Sequence, residues 1–404
     1  MTGTQGTTDA TGAAVSAARS RVEVSVLVSH PIQYFVPVYR ALAQIDDLDL
    51  RVVYRTRIGV EGYVDAGFDR TVCWDIPLLD GYRSTFLSSK TGDRGFEPSI
   101  VRELVCHRPH VLVLHGYARP TNLVALVVAK LLGVRVLMRG DTRASARHAG
   151  VIKGALKRAV FRLLDGCIAI GSANRAYYRT LGVADTRIFF APMAIDNAAF
   201  ALRTRDPGAR REGRAELGID AAAPVVLFAG KLIRSKRVDD LLRAFLRLRA
   251  DPGAILLIVG SGPEEGALRE LAAPAGGRVR FLGFRNQSEL PRLYAIADIF
   301  VLPAQDESWG LVINEAMAAG LPVIASDDVG AAPDLVSGKD TGIVYPCGDV
   351  ERLAEALAQL VGSPGARERM GDKAARLIED WGVEASARGI AHAVRSLARE
   401  RGRA

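Results

Sequence analysis

The stretch "IFVLPAQDESWGLVINEAMAAGLPVIASD", residues 299–327, decides the fold. Ile299–Ala304 reads as a strand, Gly310 opens a helix that runs through Ala319, and Pro322–Asp327 reads as the next strand. The two apolar runs hardly alternate, as expected of parallel strands covered on both faces. The same rhythm extends to either side. Upstream, Val22–Ser29, Leu48–Arg55, Pro109–Gly116, Val134–Arg139 and Gly166–Gly171 read as strands, with helical patterns such as Arg119–Leu132 and Ser172–Leu181 between them. Nearer the quoted stretch, Ala223–Gly230, Ala254–Gly260 and Arg278–Phe284 begin a second series. From Asp349 onward the pattern is almost wholly helical.

Residues 197–222 interrupt this rhythm with a polar, basic, turn-rich stretch, and a domain boundary is placed there. The expected organisation has residues 1–20 as a disordered leader and 21–200 as a first Rossmann-like domain. A linker follows at 201–222, then a second Rossmann-like domain at 223–380. Residues 381–404 form a C-terminal helix that can cross back to the first domain. The fold class is α/β, two doubly wound parallel-sheet domains facing across a cleft, with ligands at the carboxyl ends of the strands.

Composition narrows the function. The 404 residues are 49% hydrophobic and 24% charged, ample for two cores. Four scattered cysteines without a C-x-x-C pair suit a reduced cytoplasmic chain with neither disulfides nor a zinc site. A net charge of +8 suits phosphorylated ligands or an anionic membrane surface. No cluster of basic and aromatic residues accompanies it, so nucleic acid is not expected as a partner. The leader lacks the apolar core of a signal peptide, and Leu123–Met138 is too short and too charged to span a bilayer.

The chemistry is read from the quoted stretch first. The backbone N–H groups at Gly310, Leu311 and Val312 open the helix and can receive a phosphate. Glu315 lies about 7.5 Å further along, at 1.5 Å per residue, where a carboxylate can take the ribose hydroxyls of the same nucleotide. Glu307, in the loop before the helix, faces what lies beyond the phosphates. The plainer alternative is an acid favoured by the helix dipole and one exposed glutamate. Against it, the neighbours of Glu315 are nearly all apolar or small, and a carboxylate in or beside a core needs a partner.

"FAGKLIRSKRVDDLL" (228–242) places Lys231, Arg234, Lys236 and Arg237 after a strand. They suit a diphosphate, or else form a solvated, ion-paired helix start. In the first domain, His30 follows a strand and reads equally as a ligand contact, a helix cap or a core imidazole. His115, Arg139 and Asp141 stand at the same sheet edge, so their side chains should converge. His107, His110 and His115 do not make a metal site: Pro109 interrupts them, and the last two fall on opposite strand faces. Gly260, Gly262 and Gly266 miss the dinucleotide spacing by one residue and read as turn chemistry. Residues 147–164 form a basic amphipathic helix, either a solvated face or a peripheral membrane contact.

Taken in order, "GKLIRSK", "VGSGPEE", residues 281–326 and "VGAAPDLV" resemble the retaining glycosyltransferases of family 4, which have the GT-B fold. The likeness is strong over residues 223–347 and looser in the first domain. It implies an E-x7-E pair at Glu307 and Glu315, with Glu315 on the ribose and Glu307 on the donor sugar. It also implies a diphosphate grip by Lys231 and Lys236, a nucleobase near Phe284 and Arg285, and no metal. Three departures stand out. "SHPIQY" replaces the glycine pair after the first strand, Asp141 occupies a slot often held by histidine, and Gly330-Ala331-Ala332 replaces a common glycine pair.

The expected activity is a metal-independent, retaining transfer of a hexose from a nucleotide diphosphate sugar to a hydroxyl of a glycan, lipid-linked or small-molecule acceptor, in the service of cell-surface glycans. Glu307, Asp141 and His115 are the catalytic candidates, and His30 and Arg139 the acceptor-side ones. The alternatives are a sugar-nucleotide epimerase or hydrolase of the same fold, or a non-catalytic nucleotide-binding assembly protein. A dehydrogenase lacks its glycine spacing. The single D-x-D, Asp47-Leu48-Asp49, precedes a strand instead of following one.

Overall fold

The computed structural model describes residues 21–88, 95–143, 151–248 and 253–401. The expected leader, residues 1–20, lies outside them, as do residues 147–150 of the basic helical stretch. Among the described residues, nine strands belong to the first half: β1 (Val22–Val28), β2 (Leu48–Tyr54), β3 (Tyr63–Asp65), β4 (Arg70–Val72), β5 (Arg83–Phe86), β6 (Val111–His115), β7 (Arg135–Arg139), β8 (Gly166–Ala169) and β9 (Ile188–Phe190). Seven of them form a wholly parallel sheet in the order β5-β2-β1-β6-β7-β8-β9. β3 and β4 pair apart from it as an antiparallel hairpin.

The second half contributes β10 (Val225–Ala229), β11 (Ile255–Val259), β12 (Val279–Gly283), β13 (Ile299–Leu302), β14 (Val323–Ser326) and β15 (Gly342–Tyr345). They are parallel in the order β12-β11-β10-β13-β14-β15. Both sheets are therefore doubly wound, and each reverses direction once, between β1 and β6 and between β10 and β13. At such a point the loops leaving neighbouring strands diverge and open a crevice. His115 ends β6, and the loops after β1, β10 and β13 carry His30, Lys231 and Glu307.

Each sheet is buried on both faces. The first carries one apolar cluster around Val26, Val52 and Ile168 and another around Leu27, Leu112 and Val136. The second is built around Leu227, Leu257, Phe300 and Ile324. The helix Val383–Arg401 belongs to the first cluster: Val383, Ala387, Ile390, Ala391, Val394 and Leu397 pack with β1 and β2 residues. Trp381 leads the chain across, stacked on Trp309 at 5.4 Å and edge-on to Phe190 at 5.5 Å.

Across the expected linker, residues 201–222, the structure has the end of the helix Asn197–Thr204 and the whole of the helix Pro207–Glu216. Asp196 and Asp206 cap them, accepting from Ala199 N at 3.0 Å and Gly208 N at 2.9 Å. Three of the arginines there, Arg205, Arg210 and Arg214, are engaged by the second domain. Arg214, 4% exposed, donates to the carbonyls of Ile296, Ala221 and Ala223 and to Asp298 Oδ2 at 2.6 Å. The D-x-D acids are likewise engaged: Asp47 pairs with Arg395 and Asp49, which lies inside β2, with Arg83. Among the described residues, no helix is long and apolar enough to cross a membrane.

Candidate functional site

The helix Leu311–Ala318 starts in the cleft between the sheets. Its cap, Gly310, has a φ of +92°, and a Cβ there would meet Leu302 Cδ2 at 2.8 Å. Only glycine fits both demands. Gly310, Leu311 and Val312 line a cavity of about 760 Å³ together with Lys231, Lys236, Glu307, Glu315, Phe284, Arg285, His30 and Asp141. Eleven of the thirteen candidate residues thus share one cleft, because the strand ends that carry them meet at the two crevices.

Glu315 is 1% exposed, and both of its oxygens are engaged. Tyr294 donates to Oε2 at 2.7 Å and Tyr34, from the loop after β1, donates to Oε1 at 2.9 Å. Burial pushes its carboxyl up to about 7, while the two hydroxyls pull the other way. Tyr294 is locked by stacking on Phe300 at 5.6 Å and by the edge of Phe200 at 5.2 Å. The sequence required a partner for Glu315; the structure supplies two, one from each domain.

The cations are paired in the same way. Lys236 forms an ion pair with Glu307. Lys231 donates to Asp65 Oδ1 at 2.9 Å and Oδ2 at 3.0 Å. Arg143, from the loop after β7, crosses the cleft and donates to Glu307 O at 3.0 Å and Asp328 O at 2.7 Å, fixing the loop that carries Glu307.

A second cavity, about 360 Å³, opens in the first domain and is lined by His115, Arg139, Phe35, Tyr117, Tyr177 and Asp141, among others. Asp141 borders both cavities. It is exposed to the cleft, yet the protein mass around it and the like charge of Glu307 push its carboxyl above the usual range, against a hydrogen bond from its own backbone. His115 packs edge-on to Phe35 at 4.9 Å. Burial, then the charge of Arg139, lower its imidazole to about 3, so it is neutral at ordinary pH.

Arg139 and His115 do not enter the larger cleft. The Arg139 guanidinium is 3% exposed and donates to Pro192 O at 3.4 Å and Ser386 Oγ at 3.2 Å, where the chain passes between domains and returns. His30 faces the larger cleft, with Nδ1 2.9 Å from Ser29 Oγ. Of the three readings open to it, the helix cap is removed, since Phe35 caps the helix Val36–Ala43. Phe284 is covered by Phe68, edge-on at 5.0 Å, and by Arg70, 4.7 Å above its ring.

Sequence reasoning missed Tyr34, Asp65, Phe68, Arg143 and Tyr294. Tyr34 and Tyr294 lie inside stretches singled out for other residues. Asp65 and Phe68 sit on a hairpin whose strands are three residues each, too short to show alternation.

Comparison with known proteins agrees with this geometry. The family described as glycosyl transferases group 1 matches residues 209–377. The chain is 31% identical over 296 residues to the lipopolysaccharide core biosynthesis mannosyltransferase LpsB of Rhizobium meliloti, covering 71% of this chain and 80% of that one. It is 30% identical over 272 residues to a D-inositol 3-phosphate glycosyltransferase of Saccharomonospora viridis, covering 63% of each. Among solved structures, Anabaena Alr3699/HepE in complex with UDP and glucose superposes with a TM-score of 0.70 at 19% identity, covering 93% of this chain and all of that one. The architecture is GT-B.

Proposed function

Because the chain belongs to the group 1 glycosyl transferases, we propose that it is a retaining, metal-independent hexosyltransferase of family 4 that uses a nucleotide diphosphate sugar. Residues 223–380 bind the donor and residues 21–200 the acceptor. One observation carries this reading: Lys231, Lys236, the helix start at Gly310 and the carboxylate of Glu315 line a single cavity. Those are the groups a diphosphate and a ribose require. LpsB is by name a mannosyltransferase, and the Anabaena protein was crystallised with UDP and glucose, which supports a hexose without choosing it.

The diphosphate lies on the amides at Gly310–Val312, with Lys231 and Lys236 beside it. The ribose hydroxyls replace Tyr34 on Glu315, and the base packs near Phe284 and Arg285. The sugar then faces Glu307 and Asp141, and an acceptor hydroxyl reaches it from the smaller cavity that Asp141 also borders. The bond from the anomeric carbon to the phosphate oxygen breaks, and the bond to the acceptor oxygen forms on the same face. The acceptor proton passes to the departing phosphate, whose growing charge the two lysines and the helix start stabilise. The reading places the chain in the cytoplasm. The helix Val151–Leu163, with Arg158 and Arg162 exposed and Leu156 68% exposed, would be its contact with an anionic membrane surface.

The test is thermal stability against UDP, GDP, ADP, dTDP and CMP, with and without magnesium. A diphosphate at about 100 times its Kd should stabilise by roughly 2.7 kcal/mol. A shift with one nucleoside diphosphate, indifferent to magnesium, is the expected result. No shift with any of them refutes the donor assignment.

A further inference from the structure

The β3–β4 hairpin leaves the first domain, crosses the cleft and lies on the second, and no step of the proposed chemistry uses it. Its contacts fall on donor-site residues. Lys231 donates to both oxygens of Asp65 and lies 4.9 Å from the centre of the Phe68 ring. Ser261 Oγ donates to Phe68 O at 2.8 Å. Phe68 and Arg70 cover Phe284. Just beyond the hairpin, Asn286 Nδ2 donates to Cys73 O at 2.7 Å and Ser288 N to Asp75 Oδ2 at 3.3 Å.

The seat for the turn is Gly262. A Cβ there would meet Leu232 O at 2.5 Å and Gly67 O at 2.9 Å. Gly262, one of the glycines first read as turn chemistry, is therefore a place where the two domains' backbones meet closely.

Asp65 is held as an anion. The amides of Gly67 and Phe68 donate to its Oδ1 at 2.8 and 3.2 Å, beside the Lys231 ammonium. It offers Lys231 two charged oxygens, as a diphosphate does. Tyr34 offers Glu315 a hydroxyl, as a ribose does. The first domain thus presents donor-like groups to two of the residues assigned to the donor.

We propose that Asp65 is a positioning residue that holds Lys231 in the cleft and latches the β3–β4 hairpin over the nucleobase end of the donor site until an incoming diphosphate takes Lys231 and frees the hairpin. The proposal rests on the donor-site reading above. It makes donor entry a competition between two anions for one lysine, and makes opening of the hairpin a consequence of that exchange.

The experiment combines calorimetric titration of UDP, GDP, ADP and dTDP with amide hydrogen exchange over residues 63–75, on wild type, Asp65→Asn and Ser261→Ala. In wild type, exchange over the hairpin rises when the diphosphate that binds is added. Asp65→Asn binds that diphosphate roughly three- to ten-fold more tightly, the equivalent of one weak ion pair released, and its donor KM falls by the same factor. Ser261→Ala, which leaves the ion pair and loosens the hairpin's seat, moves both readouts the same way by less. Unchanged or weaker binding by Asp65→Asn, or a hairpin better protected with ligand than without, overturns the latch while leaving the donor site in place. A wild type that binds none of the four removes the donor-site reading itself, and the latch with it.

Discussion

Replacing Glu315 by glutamine separates what this residue costs the fold from what it gives the ligand. Its carboxyl rises from 4.5 to about 7 in the folded chain. For an acid whose folded pKa is raised, the folded state holds the proton more tightly. Stability is therefore undiminished below pH 4.5, declines as pH climbs to about 7, and stays reduced above it. At about 1.36 kcal/mol per pH unit the full deficit is about 3 kcal/mol. Glutamine cannot ionise and escapes it. Its amide must donate to one tyrosine, and Tyr34, which also meets the Gln287 side chain, is the one free to turn its proton away. That rearrangement costs about 1 kcal/mol. Glu315→Gln should then be about 2 kcal/mol more stable than wild type at pH 8 and no more stable at pH 4.5. Thermal melts of both proteins at the two pH values measure this, with several degrees expected at pH 8. Nucleoside diphosphate binding at pH 8 should weaken by at least about ten-fold, since hydrogen bonds to a charged acceptor are lost. A stability difference that does not change with pH, or a variant less stable at pH 8, refutes the argument that Glu315 is a strained anion kept for its ligand.

Two other substitutions test separate parts of the argument. Asp141→Asn keeps the shape at the junction of the two cavities and removes the charge; turnover with donor and acceptor should fall by about 100-fold while calorimetric affinity for the diphosphate holds, and an equal loss in both would move Asp141 into the donor site. Arg214→Ala strips the carbonyls of Ile296, Ala221 and Ala223 of a donor, while Asp298 keeps Arg210 and the Val225 amide; it should destabilise the second domain by about 2–3 kcal/mol, read by urea unfolding, and a loss below about 1 kcal/mol would mean that Arg214 does not anchor the helix Pro207–Glu216 there.

The central strands were legible because each is a short apolar run bounded by turn residues. β5, β9 and β15 were not, since each is only three or four residues long and partly exposed. The site was half legible for a related reason. Lys231, Lys236, Glu307 and Glu315 are ordered by strand ends and one helix, which local sequence specifies. Their partners are not: Tyr34 stands 281 residues from Glu315 and Asp65 stands 166 from Lys231, so only closure of one domain on the other brings them together. Arg139 shows the converse. Its position at a strand end was read correctly, but a strand end does not reveal that the side chain is claimed by the chain crossing behind it.

The return of the helix Val383–Arg401 to the first sheet bears on how the chain is made. The first domain leaves the ribosome early with the Val26–Val52 face of its sheet uncovered. The side chains that cover this face, from Val383 to Leu397, are translated only after the whole second sheet. The nascent first domain must therefore wait, apolar face open, through the synthesis of the whole second domain. Loss of the helix Val383–Arg401 would therefore produce a defect in the first domain, far along the chain from the deletion.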